Sequence, residues 1–229
     1  MLTLAIDTST TSIAIALLKD DDVIAETFLN LDINHSIVLL AALEHILQIS
    51  HIGMKDIDLF ACTRGPGSFT GLRIGASTVK GLALSIGKPI VGVSTLQALA
   101  FNVAVPRVSI CPMLDAKKDQ VYAALYRAGR NYTLEEIKSE RVTEVCKFLQ
   151  DIDVEALFVG DGAVKYANRI EEILPGRASF ASSCHQHIRA SAVGLLGRGK
   201  YLNGEVLDPV TFAPVYLRVS EAEAKRLAR

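Results

Sequence analysis

The feature that most constrains this chain is a weak internal duplication. The run Ala5-Ile6-Asp7-Thr8-Ser9-Thr10-Thr11-Ser12-Ile13-Ala14-Ile15-Ala16-Leu17 returns at an offset of 108 positions as Met113-Leu114-Asp115-Ala116-Lys117-Lys118-Asp119-Gln120-Val121-Tyr122-Ala123-Ala124-Leu125. In each copy an apolar strand ends in an aspartate, a short polar turn follows, and a second apolar strand leaves. Asp7 answers to Asp115, and Ile13, Ile15 and Leu17 answer to Val121, Ala123 and Leu125. Such a pattern reads as a β-hairpin with the aspartate at its turn.

The parts that follow also recur. In the first copy, 23–31 reads as a third strand, 36–50 as a helix, 57–62 as a strand, 72–86 as a helix and 89–93 as a strand. In the second, 137–142 reads as a strand, 143–150 as a short helix capped by Thr143, and 156–159 as a strand. A turn at Gly160-Asp161-Gly162 then opens a helix over 163–173, and 191–202 reads as a further helix. Strand, strand, strand, helix, strand, helix, given twice, predicts an α/β chain of two domains, 1–102 and 103–229. The linker lies near Asn102 to Arg107, and the last helix and tail are free to pack back on the first domain. A chain of 229 residues can bury cores of that size.

That order is the signature of the actin-like ATPase (ASKHA) fold, shared by sugar kinases and heat-shock chaperone ATPases. There, two hairpin turns face each other across a cleft and hold phosphates. Asp7, Thr8, Ser9, Thr10 and Asp115 are the candidate residues for degenerate phosphate-type turns. The first turn offers hydroxyl and N–H donors from Thr8 to Ser12, which serve equally a turn satisfied by its own side chains. The second departs from the pattern. Phosphate turns need small residues so that backbone N–H groups reach the ligand, and this one carries Lys117, Lys118, Asp119 and Gln120. No cofactor is expected from the chain alone, and weak or complex-dependent nucleotide binding stays open.

A second informative stretch is Gly65-Pro66-Gly67-Ser68-Phe69-Thr70-Gly71-Leu72-Arg73-Ile74-Gly75, which lies between two apolar runs and reads as strand, glycine turn, helix. Leu72 stands where a Walker loop has lysine, and the glycine spacing does not match a dinucleotide fingerprint. The stretch is either an anion or partner site or a tight turn that merely starts a helix. Composition excludes several classes. No apolar run approaches the roughly 20 residues of a membrane span, and Met1 to Asp7 does not read as a signal peptide. Four scattered cysteines read as reduced thiols, so a cytoplasmic location is expected. A net charge of -1 gives no bulk drive toward nucleic acid. The segment His185-Gln186-His187 beside Cys184 reads as polar surface, and no zinc-protease or nucleophile-elbow motif occurs.

The glycine segment, the opening Asp7-Thr8-Ser9, Gly92-Val93-Ser94-Thr95-Leu96, Asp115-Ala116 with Val121-Tyr122, and Pro214-Val215-Tyr216-Leu217-Arg218 together resemble the TsaB family (formerly YeaZ). The resemblance runs in order along nearly the whole chain. It implies an accessory role in bacterial synthesis of threonylcarbamoyladenosine on tRNA. A catalytic paralogue, TsaD, transfers the threonylcarbamoyl group to N6 of the adenosine 3′ to the anticodon in tRNAs decoding ANN codons, and a small ATPase, TsaE, completes the machinery. The paralogue's metal-binding His-x-x-x-His pair is broken here, since Leu39 stands four residues after His35. The resemblance therefore implies a non-enzymatic subunit without a metal site.

A chain of that kind acts by binding. In the first predicted helix one apolar stripe runs through 37, 40, 43 and 47 and another through 38, 39, 42, 46 and 49. A surface helix normally needs one stripe, so two imply burial against the own core and against something else, or else a fully internal helix. The second helix is rich in glycine and alanine, a cost tolerated where another backbone must come close, and with Arg73, Ser77 and Lys80 as a polar edge it resembles a helix–helix packing face. The family joins TsaD, and also itself, through these two helices. The expected interface is therefore Ile37, Leu40, Leu43, Glu44 and Leu47 from the first, with Gly67, Ser68, Phe69, Thr70, Gly71, Arg73, Gly75, Ser77 and Lys80 from the second. The expected partners are TsaD as a heterodimer, TsaE, and a second copy as a homodimer on the same helices, with tRNA bound only as part of the complex and no membrane. The basic tail, Arg218, Lys225, Arg226 and Arg229, reads as a solvated helix end with Glu221 paired to Lys225. The competing readings are a small-molecule kinase or ATPase of the same fold, which predicts turnover by the lone chain, and a metalloprotease, which predicts bound zinc.

Overall fold

The computed structural model describes residues 1–31, 34–130 and 133–218, and the chain divides into two compact units. Among the described residues, the first is Met1–Asn102 with His187–Pro214, and the second is Val103–Gln186 with Val215–Arg218.

In chain order the first unit contains β1 (Leu2–Asp7), β2 (Ile13–Lys19), β3 (Asp22–Leu29), α1 (His35–Ile49), β4 (Leu59–Thr63), α2 (Phe69–Ile86), β5 (Ile90–Val93) and α3 (Thr95–Phe101). The second contains β6 (Ser109–Asp115), β7 (Gln120–Ala128), β8 (Leu134–Glu144), α4 (Val145–Gln150), β9 (Ala156–Val159), α5 (Asp161–Lys165), α6 (Ala167–Ile173) and β10 (Ala178–Phe180). The chain then returns to the first unit with α7 (Ala190–Leu202).

The first sheet has the order β3-β2-β1-β4-β5 and the second, read from its other edge, β8-β7-β6-β9-β10. Renumbering six to ten as one to five converts one into the other. In both sheets the first two strands pair antiparallel and the central strand pairs parallel with the fourth. The recurrence in the sequence is thus a recurrence of topology.

Period-two alternation explains how the first sheet is covered. Leu4 and Ile6 of β1, Ile15 and Leu17 of β2, and Phe60 and Cys62 of β4 share one core with Leu39, Leu43 and Ile46 of α1 and Val79 of α2. The alternate positions include Ala5, Ala16 and Ala61, all fully buried. Helix α7 lies against β1, β2 and β4, and its glycines set the distance. A Cβ on Gly194 would run into Leu18, and one on Gly197 into Ala61. Small residues on both surfaces let this helix lie close to the sheet. In the second unit Met113, Val121, Leu125, Phe148, Phe158 and Ile170 form the corresponding core.

Several details differ from the sequence reading. Thr143 does not cap a helix: it pairs with Val121 inside the β7–β8 ladder, and α4 starts after Glu144 with no side-chain cap. The helix foreseen over 163–173 is two, α5 and α6, broken at Tyr166. The elements α3 and β10 were not foreseen. Gln186 is buried rather than on the surface, its amide oxygen accepting from Gly160 N (2.6 Å), and His187 packs on Phe28 with ring centroids 5.3 Å apart. All four cysteines are free. Arg218 donates to the Ala116 carbonyl (2.8 Å), whereas Glu221, Lys225, Arg226 and Arg229 lie outside the described residues. Among the described residues no helix is long and apolar enough to cross a membrane.

Candidate functional site

The first hairpin turn and the glycine segment form one packed unit. Asp7 ends β1 with no exposure, and its Oδ1 accepts from Ser9 N (3.1 Å), Ser9 Oγ (2.6 Å) and Thr63 Oγ1 (2.7 Å). Oδ2 has no partner among the described residues. Burial raises the Asp7 carboxyl above its ordinary range, against the opposing pull of those hydrogen bonds and of His35. Thr8 Oγ1 donates to Gly71 O (2.8 Å), and Ser68 N donates to Ser9 O (2.7 Å). Thr8 and Ser9 are fully buried, so their hydroxyls are spent inside the fold, while Thr10 is half-buried and shares a hydrogen bond with Ser12. Thr63 escaped the sequence reading, since an isolated threonine at a strand end carries no motif.

The glycines answer to this same turn. A Cβ on Gly67 would overlap the Ser9 carbonyl, on Gly71 the Thr8 carbonyl, and on Gly75 the Thr8 hydroxyl. The backbone that approaches α2 so closely belongs to the same chain. Ser68 caps α2, its side chain accepting from Gly71 N (3.2 Å). His35 opens α1 and donates from Nε2 to Thr10 O (3.0 Å), so the hairpin turn also ties down the start of α1. Leu39, four residues on, sits in the core.

The second turn is built differently. Lys117, Lys118 and Asp119 all have positive φ, at 63°, 54° and 55°. Left-handed backbone costs a residue with a side chain about 1–2 kcal/mol, so the turn must be held in place. Asp115 does much of this. Its Oδ1 accepts from Lys117 N (3.0 Å), and its Oδ2 meets Lys117 Nζ (3.1 Å) and Lys165 Nζ (2.9 Å). Burial opposes ionisation of Asp115, but the Lys165 and Lys117 hydrogen bonds hold its carboxyl below the usual range. Asp7 and Asp115 are equivalent in topology and opposite in surroundings.

The helices α1 and α2 carry the third group of predicted residues. On α1, Leu39, Ala42, Leu43 and Ile46 are buried in the core, whereas Ile37 is 70% and Leu40 56% exposed. Glu44 is exposed and Leu47 half-buried. Leu43 therefore faces inward, away from any partner. On α2, Gly71 and Gly75 are buried, Thr70, Arg73 and Ser77 are exposed, and Gly67, Phe69 and Lys80 are intermediate. Ser68, the cap residue, is exposed. Arg73 lies over the Phe69 ring at 4.8 Å, and Lys80 donates to Val210 O (2.5 Å). Between the two helices runs a groove of about 380 Å³ lined by Ser36, Leu39, Leu40, Arg73, Ile74, Ser77 and Thr78. Ile74 and Thr78 were not foreseen, although their i, i+4 spacing beside Ser77 could have marked them.

Comparison with known proteins fits this geometry. The family model "TsaD: tRNA N6-adenosine threonylcarbamoyltransferase" matches residues 23–226. The chain is 35% identical over 228 residues to the tRNA threonylcarbamoyladenosine biosynthesis protein TsaB of Bacillus subtilis, covering 98% of this chain and 97% of that one. It resembles the solved structure of YeaZ from Pseudomonas aeruginosa with a TM-score of 0.80 at 27% identity, over 94% of this chain and 99% of the other. Component A of (R)-2-hydroxyglutaryl-CoA dehydratase from Acidaminococcus fermentans aligns at a TM-score of 0.55 with 14% identity, over 88% and 99%, a likeness of fold alone. With the doubled sheet order, these likenesses give the architecture as the actin-like ATPase fold. Within the wider group that the TsaD model describes, full-length identity places this chain in the TsaB family.

Proposed function

We propose that the protein is the accessory subunit of a tRNA threonylcarbamoyladenosine machine: it docks on TsaD, sets that enzyme's active conformation, and performs no chemistry itself. The relatives' names supply the process. The observation that carries the reading is the outer face of α1 and α2. Ile37 and Leu40 stand exposed beside a groove whose far wall carries Arg73 and Ser77. Large exposed aliphatic side chains beside a groove, rimmed by polar residues, are the anatomy of a protein interface. The exposed part of the predicted interface, Ile37, Leu40, Glu44, Ser68, Thr70, Arg73 and Ser77, supplies this surface, while Gly67, Gly71 and Gly75 hold α2 against the hairpin that anchors α1. A second copy would use the same face, so self-association and TsaD binding compete. TsaE and tRNA join the assembled pair, in the cytoplasm.

The packing of the first turn supports the non-catalytic reading. The aspartate that a nucleotide-handling turn would present is enclosed, with one oxygen held by three donors. Leu40→Arg tests the reading. It should leave the melting temperature of the lone chain within about 2 °C, abolish co-elution with TsaD, and stop threonylcarbamoyladenosine formation by the reconstituted mixture. Undiminished heterodimer and product would defeat it.

A further inference from the structure

After α7 the chain does not leave the first unit. Leu207 forms an antiparallel bridge with Ile90 of β5, its N donating to Ile90 O (2.9 Å). Five residues later Phe212 inserts into the core that α1 and α2 cover, and is 4% exposed. Between these anchors Asp208 organises a tight turn. Its Oδ1 accepts from Val210 N (2.8 Å), and its carbonyl accepts from Thr211 N (3.1 Å) and Phe212 N (2.9 Å). Lys80 of α2 holds the turn from outside through the Val210 carbonyl. Residues 203–214 thus form a strap fixed at three points, and it presents Val210 with its apolar side chain 61% exposed.

The strap's place follows from the sheet. Helix α1 contacts β2 and β3, while α2 contacts β1, β4 and β5. The strap bridges to β5, the edge strand on the α2 side. The outer layer therefore runs α1, α2, strap. Lys80 lies seven residues after Arg73 and three after Ser77, on the same stripe of α2, and Arg73 and Ser77 wall the groove beside Leu40. The outward stripe of α2 is flanked by Leu40 of α1 on one side and by Val210 on the other.

We infer that this strap is the third ridge of the TsaD-docking surface and that Val210 is one of its contact residues. The inference rests on the docking reading and extends it to a segment far away in sequence. A valine on a pinned backbone loses little conformational freedom when covered, so its burial adds to affinity almost undiminished.

The test uses the full chain with TsaD, measuring affinity by calorimetry for wild type, Val210→Asp, Leu40→Arg and, as a control on the opposite sheet edge, Val23→Asp. Val210→Asp should weaken binding by about tenfold, and Val23→Asp should bind like wild type. If Leu40→Arg loses TsaD while Val210→Asp keeps full affinity, the strap claim falls and the docking reading stands. If Leu40→Arg also binds normally, both fall. If Val210→Asp weakens only self-association, the strap belongs to the homodimer and the proposal is overturned. Hydrogen exchange gives a readout that does not depend on a variant folding. Amides of Asp208, Val210, Thr211 and Phe212 should exchange more slowly once TsaD is added, and unchanged exchange there overturns the proposal.

Discussion

At Gly71 and Gly81, ten residues apart on one helix, the same substitution should have opposite signs. A Cβ on Gly71 would overlap the Thr8 carbonyl, whereas one on Gly81 meets nothing within 4 Å. Gly71→Ala is expected to destabilise by about 2–3 kcal/mol through overpacking. Gly81→Ala should stabilise by about 0.5–1 kcal/mol, because it removes glycine's freedom in the unfolded chain. Urea denaturation of both variants checks the pair, and a loss at Gly81 would contradict the geometry. Asp7 gives a pH prediction of definite sign. Desolvation raises its folded pKa above the unfolded value of 3.8. Ionisation therefore works against the fold: the stability tied to the neutral carboxyl is complete below about pH 3.8 and fades as pH rises through the folded value. In Asp7→Asn the amide oxygen still accepts the three hydrogen bonds and nothing ionises. Its stability relative to wild type should climb from acid toward neutral pH, as read from denaturation midpoints across that range. A difference that stays flat with pH would remove the argument.

Helix α7 shows how an element can be capped from a distance. Its N-cap, Arg189, makes no side-chain cap bond. Glu26 of β3 takes that role, its Oε1 accepting from Ser191 N (3.0 Å) and Ser191 Oγ (3.1 Å), and its Oε2 pairing with Arg189 (2.7 Å). The Glu26 side chain is only 10% exposed, so Glu26→Ala should cost about 2–4 kcal/mol by stranding a part-buried guanidinium and a helix start. Thermal unfolding measures it, and a shift of under a degree would show that the contact is dispensable. The helix itself was read from the sequence to within one residue of its start. The cap was not, because 165 residues separate Glu26 from Ser191. Thr143 failed for the converse reason: a good local capping residue lost to a strand ladder that continues through it. In α1 the spacing showed two apolar stripes and could not sort Leu40 from Leu43. Which of two leucines faces the sheet depends on how the helix rotates over β2, and only tertiary packing settles that. The glycines of α2 were legible as a site of close backbone approach. The identity of the approaching backbone, the Thr8–Ser9 turn, was not.

For the molecule as a whole, the duplicated hairpin was visible because in both copies the buried strands read as near-continuous apolar runs broken by an aspartate turn, and the sheet orders repeat accordingly. The two copies are closed differently. The first unit borrows 187–214 from the far end of the chain. Without that segment the face of β1, β2 and β4 that carries Ala5, Ala16 and Ala61 loses α7, and the opposite core loses Phe212. Local secondary structure in 1–102 cannot replace either, because a sheet in a domain of this kind needs both faces buried. A fragment ending at Asn102 should therefore lack a cooperative unfolding transition and bind a hydrophobic dye. Adding the 187–214 peptide in trans should restore the transition, and Phe212→Ala in that peptide should weaken the rescue. A sharp transition from 1–102 alone would mean that α1 and α2 suffice to hold the sheet, and that α7 and the strap only decorate a unit already complete.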